Sequence, residues 1–163
     1  MVKRILSLIL LLSISLVIVS CGEKSFGHAE LSISLSERFE EMENKDFDKT
    51  YTNGISVVAI YRISHQAAFN QGISDALTAE QFARLYMNRS ERKAEIKFRE
   101  TTPYYEYTAE TDGVKTAYLA SFYRSKYAYF LVLFACPEGS FAELKSEFLA
   151  YVDSVIFTYK RSE

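Results

Sequence analysis

The sequence predicts an α+β domain, built as an antiparallel meander sheet of about six strands with two main helices packed on it. Short segments that alternate apolar and polar residues are joined by the turn dipeptides Asn53-Gly54 and Asp112-Gly113. Two longer segments repeat apolar residues at helical spacing. The chain has 12 Tyr, 12 Phe and no Trp, and such side chains favour half-buried sheet surfaces. Its 163 residues are enough for one domain with a real core.

Residues 1–20 have the features of a secretion signal. Lys3 and Arg4 form a short positive end, and the apolar run over residues 5–19 is shorter than the ~20 residues that span a bilayer core. The run ends in Ile18-Val19-Ser20-Cys21, which resembles the bacterial lipoprotein signal. The resemblance implies that diacylglycerol is attached to the Cys21 thiol, that cleavage frees the Cys21 amine, and that many bacteria acylate this amine further.

A lipid on Cys21 sets the expected location of the domain. Two or three acyl chains attach a protein stably to a bilayer, whereas one does so only marginally. We therefore expect the domain to lie outside the cytoplasm, anchored to the cell membrane or the outer membrane, with the polar residues 21–30 as a tether. Because the lipid occupies Cys21, we expect no disulfide, and Cys136 is predicted to be a buried, inert thiol.

Residues 31–160 are predicted to form the single domain. Leu31 to Leu35 alternates strictly and predicts a first strand with one wet face. The acidic stretch from Glu37 to Asp48 lacks the glycine of a calcium loop, so a solvated face is the favoured interpretation. Asn53-Gly54 predicts a type I′ hairpin between residues 47–51 and residues 55–63. The second of these strands is apolar on one face and partly apolar on the other, which indicates an interior strand.

The first main helix is predicted from Thr78 to about Arg92. Thr78 and Gln81 match a capping box, and Gly72 suits the end of a short preceding helix or loop. Basic residues follow: Arg84, Arg89, Arg92, Lys93, Lys97 and Arg99. An anionic lipid or acidic partner could bind this cluster. We favour a structural interpretation, in which cations stabilise a helix C-terminus and line a wet strand face.

The remaining segments predict the meander and the last helix. A half-buried strand is expected over residues 94–99, Pro103 interrupts or edges the ladder, and strands follow over residues 104–110 and 114–124. Residues 127–136 are apolar on both faces and predict a central strand that is covered on both sides. Ser140 and Glu143 match a second capping box before an amphipathic helix over residues 140–155.

The sequence also argues against several classes of function. The formal charge of −2 is weakly acidic, whereas nucleic-acid binding depends on clustered Lys and Arg. We find no Cys/His metal spacing, no Gly-x-Ser-x-Gly elbow and no glycine-rich phosphate loop. His65 is the single histidine of the predicted domain, and a triad defined only in space stays open. We expect no cofactor, no metal and no enzymatic activity.

The order of these elements resembles the PsbP-like superfamily over about residues 31–158. That superfamily includes the PsbP protein of photosystem II, a nuclear Ran-binding relative and bacterial envelope lipoproteins of the DcrB type. The resemblance depends most on the strand at Tyr127–Ala135, the helix at Ser140–Ser154 and the final Asp153-Ser154-Val155-Ile156-Phe157. Ser36-Glu37-Arg38-Phe39 replaces the family's usual proline-glycine after the first strand. The resemblance implies helices packed against a sheet and a non-catalytic binding or accessory role.

Two functional hypotheses follow from these observations. The first is a lipid-anchored module that assists an envelope complex by binding a protein partner, because tyrosines favour interfaces. The second is a small-ligand binder with a pocket walled by tyrosines of residues 104–129. An enzyme is a distant third, and it would need His65 or Cys136 in a cleft beside a carboxylate. The candidate interaction surface consists of tyrosines that are expected at strand ends: Tyr104, Tyr105, Tyr107, Tyr123 and Tyr127.

Overall fold

The computed structural model describes residues 22–159. Cys21 and the predicted signal lie outside the described residues. The strands, in chain order, are β1 (Glu23–His28), β2 (Leu31–Ser36), β3 (Glu40–Met42), β4 (Lys49–Thr52), β5 (Val57–Ser64), β6 (Lys97–Arg99), β7 (Thr102–Thr111), β8 (Val114–Arg124), β9 (Ala128–Pro137) and β10 (Ile156–Phe157). The helices are α1 (His65–Asn70), α2 (Ala79–Arg89) and α3 (Phe141–Asp153), with a 3₁₀ turn at Glu138–Ser140.

The main sheet is antiparallel throughout and has seven strands in the order β3-β4-β5-β9-β8-β7-β6. The predicted α+β meander is therefore confirmed, and so is the central position of β9. A second sheet with the order β1-β2-β10 was not predicted. No helix within residues 22–159 is long and apolar enough to cross a bilayer.

Alternate side chains of the central strand, β9, pack in two separate cores. Phe130 and Phe134 of β9 pack with Phe148 of α3 and with Ile33 of the small sheet. Tyr129 of β9, on the opposite face, packs in a second core under α1 and α2. The sheet is thus the middle of three layers, which explains why β9 is apolar on both faces.

Residues 23–28, which belong to the predicted tether, are paired in a sheet. These residues form β1 and pair along their whole length with β2, from Glu23 opposite Ser36 to His28 opposite Leu31. Gly27 makes this close approach possible, since a Cβ there would lie 2.1 Å from the Leu31 carbonyl oxygen. The Tyr51 hydroxyl also donates to the Gly27 carbonyl at 2.9 Å, which fixes β1 against β4. The polar composition of these residues did not predict β1, because the strand is stabilised by its contacts with β2 and β4.

The two hairpin dipeptides behave differently. Asp112 and Gly113 both have positive φ, 51° and 78°, and form the expected two-residue turn between Thr111 and Val114. The first hairpin has four loop residues, because Thr52 pairs with Val57. Only Gly54 has a positive φ there, and the Asn53 side chain accepts from the amide of Ser56 at 2.7 Å. The type I′ prediction at Asn53-Gly54 is therefore wrong, although the hairpin exists.

The two predicted capping boxes also have different outcomes. Thr78 and Gln81 make both reciprocal hydrogen bonds, at 3.2 and 2.9 Å, as predicted. Ser140 makes no side-chain cap, because it is the last residue of the 3₁₀ turn and its backbone already has helical φ and ψ. Strand β6, which follows α2, covers only residues 97–99 of the strand predicted over residues 94–99, and its Phe98 is half exposed.

Candidate functional site

The five tyrosines of the predicted interaction surface do not form one surface. Tyr105 is fully buried, and Tyr104 and Tyr123 are 8% and 7% exposed. Tyr104 and Tyr123 lie in the core under α3, whereas Tyr105 and Tyr107 lie in the core under α2. Only Tyr127 is well exposed, at 49%. The prediction is wrong for the buried members because both faces of β7 and β8 are covered. A side chain on either face of these strands therefore lies in one of the two cores.

Tyr127 belongs to a surface that we name the Tyr127–Tyr159 patch, formed by Ala29, Lys126, Tyr127, Thr158 and Tyr159. The Tyr127 and Tyr159 rings meet edge to face, with centroids 5.7 Å apart. The Lys126 amide donates to the Tyr159 hydroxyl at 3.2 Å, and the Lys126 ammonium lies 5.2 Å from the Tyr127 ring centroid. A concave space of about 380 Å³ opens between Ala29, Glu30, Tyr127, Thr158 and Tyr159. The patch is an exposed aromatic surface with a fixed shape.

A buried polar network supports the patch from below. The Ser125 hydroxyl donates to the Glu30 carboxylate at 2.7 Å and accepts from the amide of Ala128 at 3.0 Å. Arg62 donates to the other Glu30 oxygen at 3.3 Å. Burial alone would raise the pKa of Glu30, but the Ser125 hydrogen bond and the Arg62 charge hold that pKa below its ordinary value. The network locks the β8–β9 turn, which carries Tyr127, to the β1–β2 turn.

His65 and Cys136 occupy structural positions. His65 Nε2 lies 3.2 Å from the Ser125 backbone carbonyl, whereas the Ser125 hydroxyl is directed to Glu30. The His65 ring packs edge to face on Tyr129, with centroids 4.8 Å apart. Burial raises the pKa of the Cys136 thiol and disfavours its reactive thiolate form. In residues 22–159, no group of His, Cys, Asp and Glu side chains is arranged to hold a metal ion.

A second concave site, the α2 cleft, opens between α2, the α1–α2 loop and β5. Its volume is about 270 Å³. Tyr61, Ile73, Phe82 and Tyr86 form apolar walls, and Gln71, Arg89 and Ser90 form a polar rim. The α2 cleft is not the predicted tyrosine pocket, because its tyrosines come from β5 and α2 rather than from residues 104–129.

Aromatic packing holds the α2 cleft open. Phe82 stacks on Tyr129 with centroids 4.6 Å apart, and Tyr86 packs on Phe122 at 5.7 Å. The Tyr129 hydroxyl lies 2.9 Å from the Ser74 carbonyl and 3.1 Å from the Leu77 carbonyl, so it fixes the α1–α2 loop. The walls are preformed, as in most ligand sites.

Buried tyrosines and a stacked arginine lie behind the wall of Tyr86 and Ser90. The Arg92 guanidinium covers the Tyr107 ring, 3.7 Å from its centroid. Burial raises the pKa of Tyr105 to about 12, which the Arg92 charge opposes. The Tyr105 hydroxyl and Arg92 Nε are buried and have no hydrogen-bond partner within the described residues. Three other members of the predicted basic cluster, Arg84, Lys97 and Arg99, form ion pairs with carboxylates instead.

No protein-family model and no curated protein sequence matches this chain. Among solved structures, a protein from Bacteroides thetaiotaomicron matches with a TM-score of 0.60 and 15% identity over 84% of this chain. The match spans about half, 49%, of that protein.

Two further structures match over almost their whole length. The cyanobacterial PsbP protein, CyanoP, from Synechocystis has a TM-score of 0.55 and 12% identity, covering 87% of this chain and 96% of its own. The Ran-binding protein Mog1p from Saccharomyces cerevisiae has a TM-score of 0.54 and 10% identity, covering 85% and 96%. The domain of residues 22–159 therefore has the PsbP-like fold.

Proposed function

We propose that this chain is a non-catalytic, lipid-anchored accessory protein of the bacterial cell envelope, and that it binds a protein partner at the Tyr127–Tyr159 patch. The observation that supports this most is the pair of half-exposed tyrosines, at 49% and 48%, held edge to face over a concave space. Ordered aromatic side chains bury large areas with little loss of conformational entropy, and for this reason they act as anchors in interfaces.

The chemistry of the patch suggests its partner. The Lys126 ammonium is exposed beside the tyrosines, while the Glu30 carboxylate is already paired with Arg62 and accepts a hydrogen bond from Ser125. A partner segment with an apolar residue for the concave space and an acidic residue for Lys126 would complement it. The PsbP-like fold agrees with such a role by analogy, since one of its members is a Ran-binding protein.

The proposed anchor places the partner near the membrane. The Glu37 amide donates to the Gly22 carbonyl at 3.0 Å, and β1 begins at Glu23. A lipid on Cys21 would be separated from a paired strand by a single residue, a span of only about 3.3–3.6 Å per residue. The domain would lie directly on the bilayer, so its partner should be within reach of the same surface.

Two experiments test this function. Mass spectrometry of the mature N-terminus should find acylated Cys21, and Cys21→Ser should release the protein from the membrane fraction. Crosslinking in intact cells with affinity capture should recover a partner with the wild type and with the control Val114→Ala. Tyr127→Ala and Tyr159→Ala should reduce that recovery, and equal recovery from all variants would contradict the proposed surface.

A second candidate function is small-ligand binding. The observation that favours it is the preformed α2 cleft, which has apolar walls and a few polar groups at its rim. The two functions use different surfaces, because the patch and the cleft share no lining residue. Binding of a small molecule that Tyr127→Ala leaves unchanged and a substitution at the cleft rim weakens would assign such binding to the cleft.

A further inference from the structure

The polar groups around the α2 cleft are mainly cationic or hydrogen-bond donors. Arg89 lies on the rim, and its guanidinium makes one long hydrogen bond of 3.4 Å to the Gln71 carbonyl. Within residues 22–159, neither Arg89 nor Arg92 forms an ion pair with a carboxylate. Arg84, on the same helix, contrasts with them because it pairs with Glu80 at 2.7 Å.

The charge of Arg92 also reaches the cleft wall. Burial raises the pKa of Tyr86, and the nearby Arg92 charge opposes this rise. Arg92 itself is fixed by stacking on Tyr107 at 3.7 Å. The Arg92 charge therefore acts on Tyr86 in the cleft wall, and a second cation, Arg89, lies at the rim. The electrostatic field of the site favours a negative ligand group.

Size and shape restrict the rest of the ligand. A space of about 270 Å³ is slightly below the ~300–1,000 Å³ of pockets that hold drug-sized molecules. Tyr61, Phe82 and Tyr86 line this space, which suits a flat apolar group. A nucleotide or a folded peptide segment would exceed this volume, whereas one aromatic ring with a short acidic side chain would fit.

We propose that the α2 cleft binds a small monocyclic aromatic carboxylate, with its ring between Tyr61, Phe82 and Tyr86 and its carboxylate at Arg89. The inference rests on the second candidate function, small-ligand binding, and is independent of the Tyr127–Tyr159 patch. Charge-assisted hydrogen bonds from a guanidinium to a carboxylate are stronger than neutral ones, so the acid should be preferred over a neutral analogue of the same size.

Equilibrium dialysis with three matched compounds tests the proposal on the full mature chain in lipid nanodiscs, with empty nanodiscs as the blank. The probes are phenylacetate, 2-phenylethanol and 2-phenylethylamine, which share the ring and differ in charge. We expect phenylacetate to bind with a Kd on the order of 1 mM or tighter. The alcohol should bind about fivefold more weakly, and the amine more weakly still.

Variants connect this preference to the cleft. Arg89→Gln should weaken phenylacetate binding about fivefold and leave the alcohol unchanged. The matched control Arg84→Gln should change neither, because its guanidinium is paired outside the cleft. Gln71→Trp, at an exposed rim position, should weaken all three compounds.

Each result bears on the proposal. Equal binding of the three compounds that Gln71→Trp still weakens would overturn the carboxylate preference and leave small-ligand binding in place. Binding of no compound at several times the expected Kd would overturn both. Binding that Arg89→Gln and Gln71→Trp leave unchanged would place the ligand outside the cleft and would equally contradict the inference.

Discussion

The Ser125 hydroxyl lies 2.7 Å from a carboxylate oxygen of Glu30, and this hydrogen bond joins two turns that are 95 residues apart. Ser125 begins the turn that presents Tyr127, and Glu30 lies between β1 and β2. The Glu30 carbonyl also accepts from the Thr158 amide at 2.8 Å, next to Tyr159. Glu30 therefore contacts both segments of the proposed binding patch, the turn with Tyr127 and the segment with Tyr159.

Replacing this acid should destabilise the whole domain. Glu30 is 9% exposed, so Glu30→Gln weakens its contacts to Ser125 and Arg62 at a site with little water. We expect a loss of about 1–3 kcal/mol in the free energy of unfolding, measured by urea denaturation. Glu43→Gln, at an exposed position, should change it by less than ~0.5 kcal/mol. Equal effects of the two substitutions would show that the network is not stabilising.

The same carboxylate should make stability depend on pH. Its pKa is lower in the folded state than its ordinary value of 4.5, because the Ser125 hydrogen bond and the Arg62 charge outweigh the effect of burial. Its contribution is therefore full above pH 4.5 and is lost as the pH falls through the folded-state pKa. Thermal unfolding between pH 6 and 3 should show a steeper loss for the wild type than for Glu30→Gln. Parallel curves would contradict this assignment.

Alanine substitution should destabilise the domain more at Thr78, which precedes α2, than at Ser140, which precedes α3. Thr78→Ala removes a side-chain cap of 3.2 Å from α2 and should cost about 1 kcal/mol of folding free energy. Ser140→Ala removes no cap before α3 and should cost less than ~0.5 kcal/mol. Chemical denaturation of both variants measures the difference. A larger effect at Ser140 would restore the capping box that the sequence predicted there.

Alanine substitutions should distinguish a glycine that is required for its positive φ, Gly113, from one that is not, Gly139. Gly113 has a φ of +78° in the β7–β8 turn, so Gly113→Ala should lower the free energy of unfolding by about 1–2 kcal/mol. Gly139 has no positive φ, and a Cβ there would meet nothing within 4 Å. Gly139→Ala should be neutral or slightly stabilising in the same denaturation assay. Similar losses for both would argue against the two-residue turn.

Much of the fold was predictable because the relevant signals are local. The apolar run of β9 indicates a strand covered on both faces, and Asp112-Gly113 indicates the β7–β8 turn, both without tertiary information. The strand β1 was not predictable, because its polar residues are held by pairing with β2 and by Gly27 contacts to Tyr51. Such pairing depends on neighbours that propensity does not describe.

The candidate sites were harder to predict than the fold. Tyr127 is exposed because it lies in the β8–β9 turn, and its predicted place at a strand end indicated this. Tyr159 reaches it only because β10 pairs with β2, a contact between distant parts of the chain. Tyr61 follows the alternation of a strand and Tyr86 follows the spacing of a helix, as ordinary core residues do. The cleft that they line becomes visible only when α2 is packed on the sheet. Burial of Tyr105 likewise depends on the helix above it.

The most direct test of the proposed partner surface is photocrosslinking in living cells. A photoreactive amino acid would replace Tyr127, Tyr159 or Val114, one position at a time. Val114 is the matched control, because it is 64% exposed and lies at the opposite end of β8 from the turn that carries Tyr127.

We expect the same protein adduct from positions 127 and 159 and none from position 114, with loss of the adduct when Lys126→Glu reverses the charge beside the patch. An adduct that forms equally well from position 114, or the absence of any adduct from positions 127 and 159, would contradict the account that this domain acts by binding a protein at the Tyr127–Tyr159 patch.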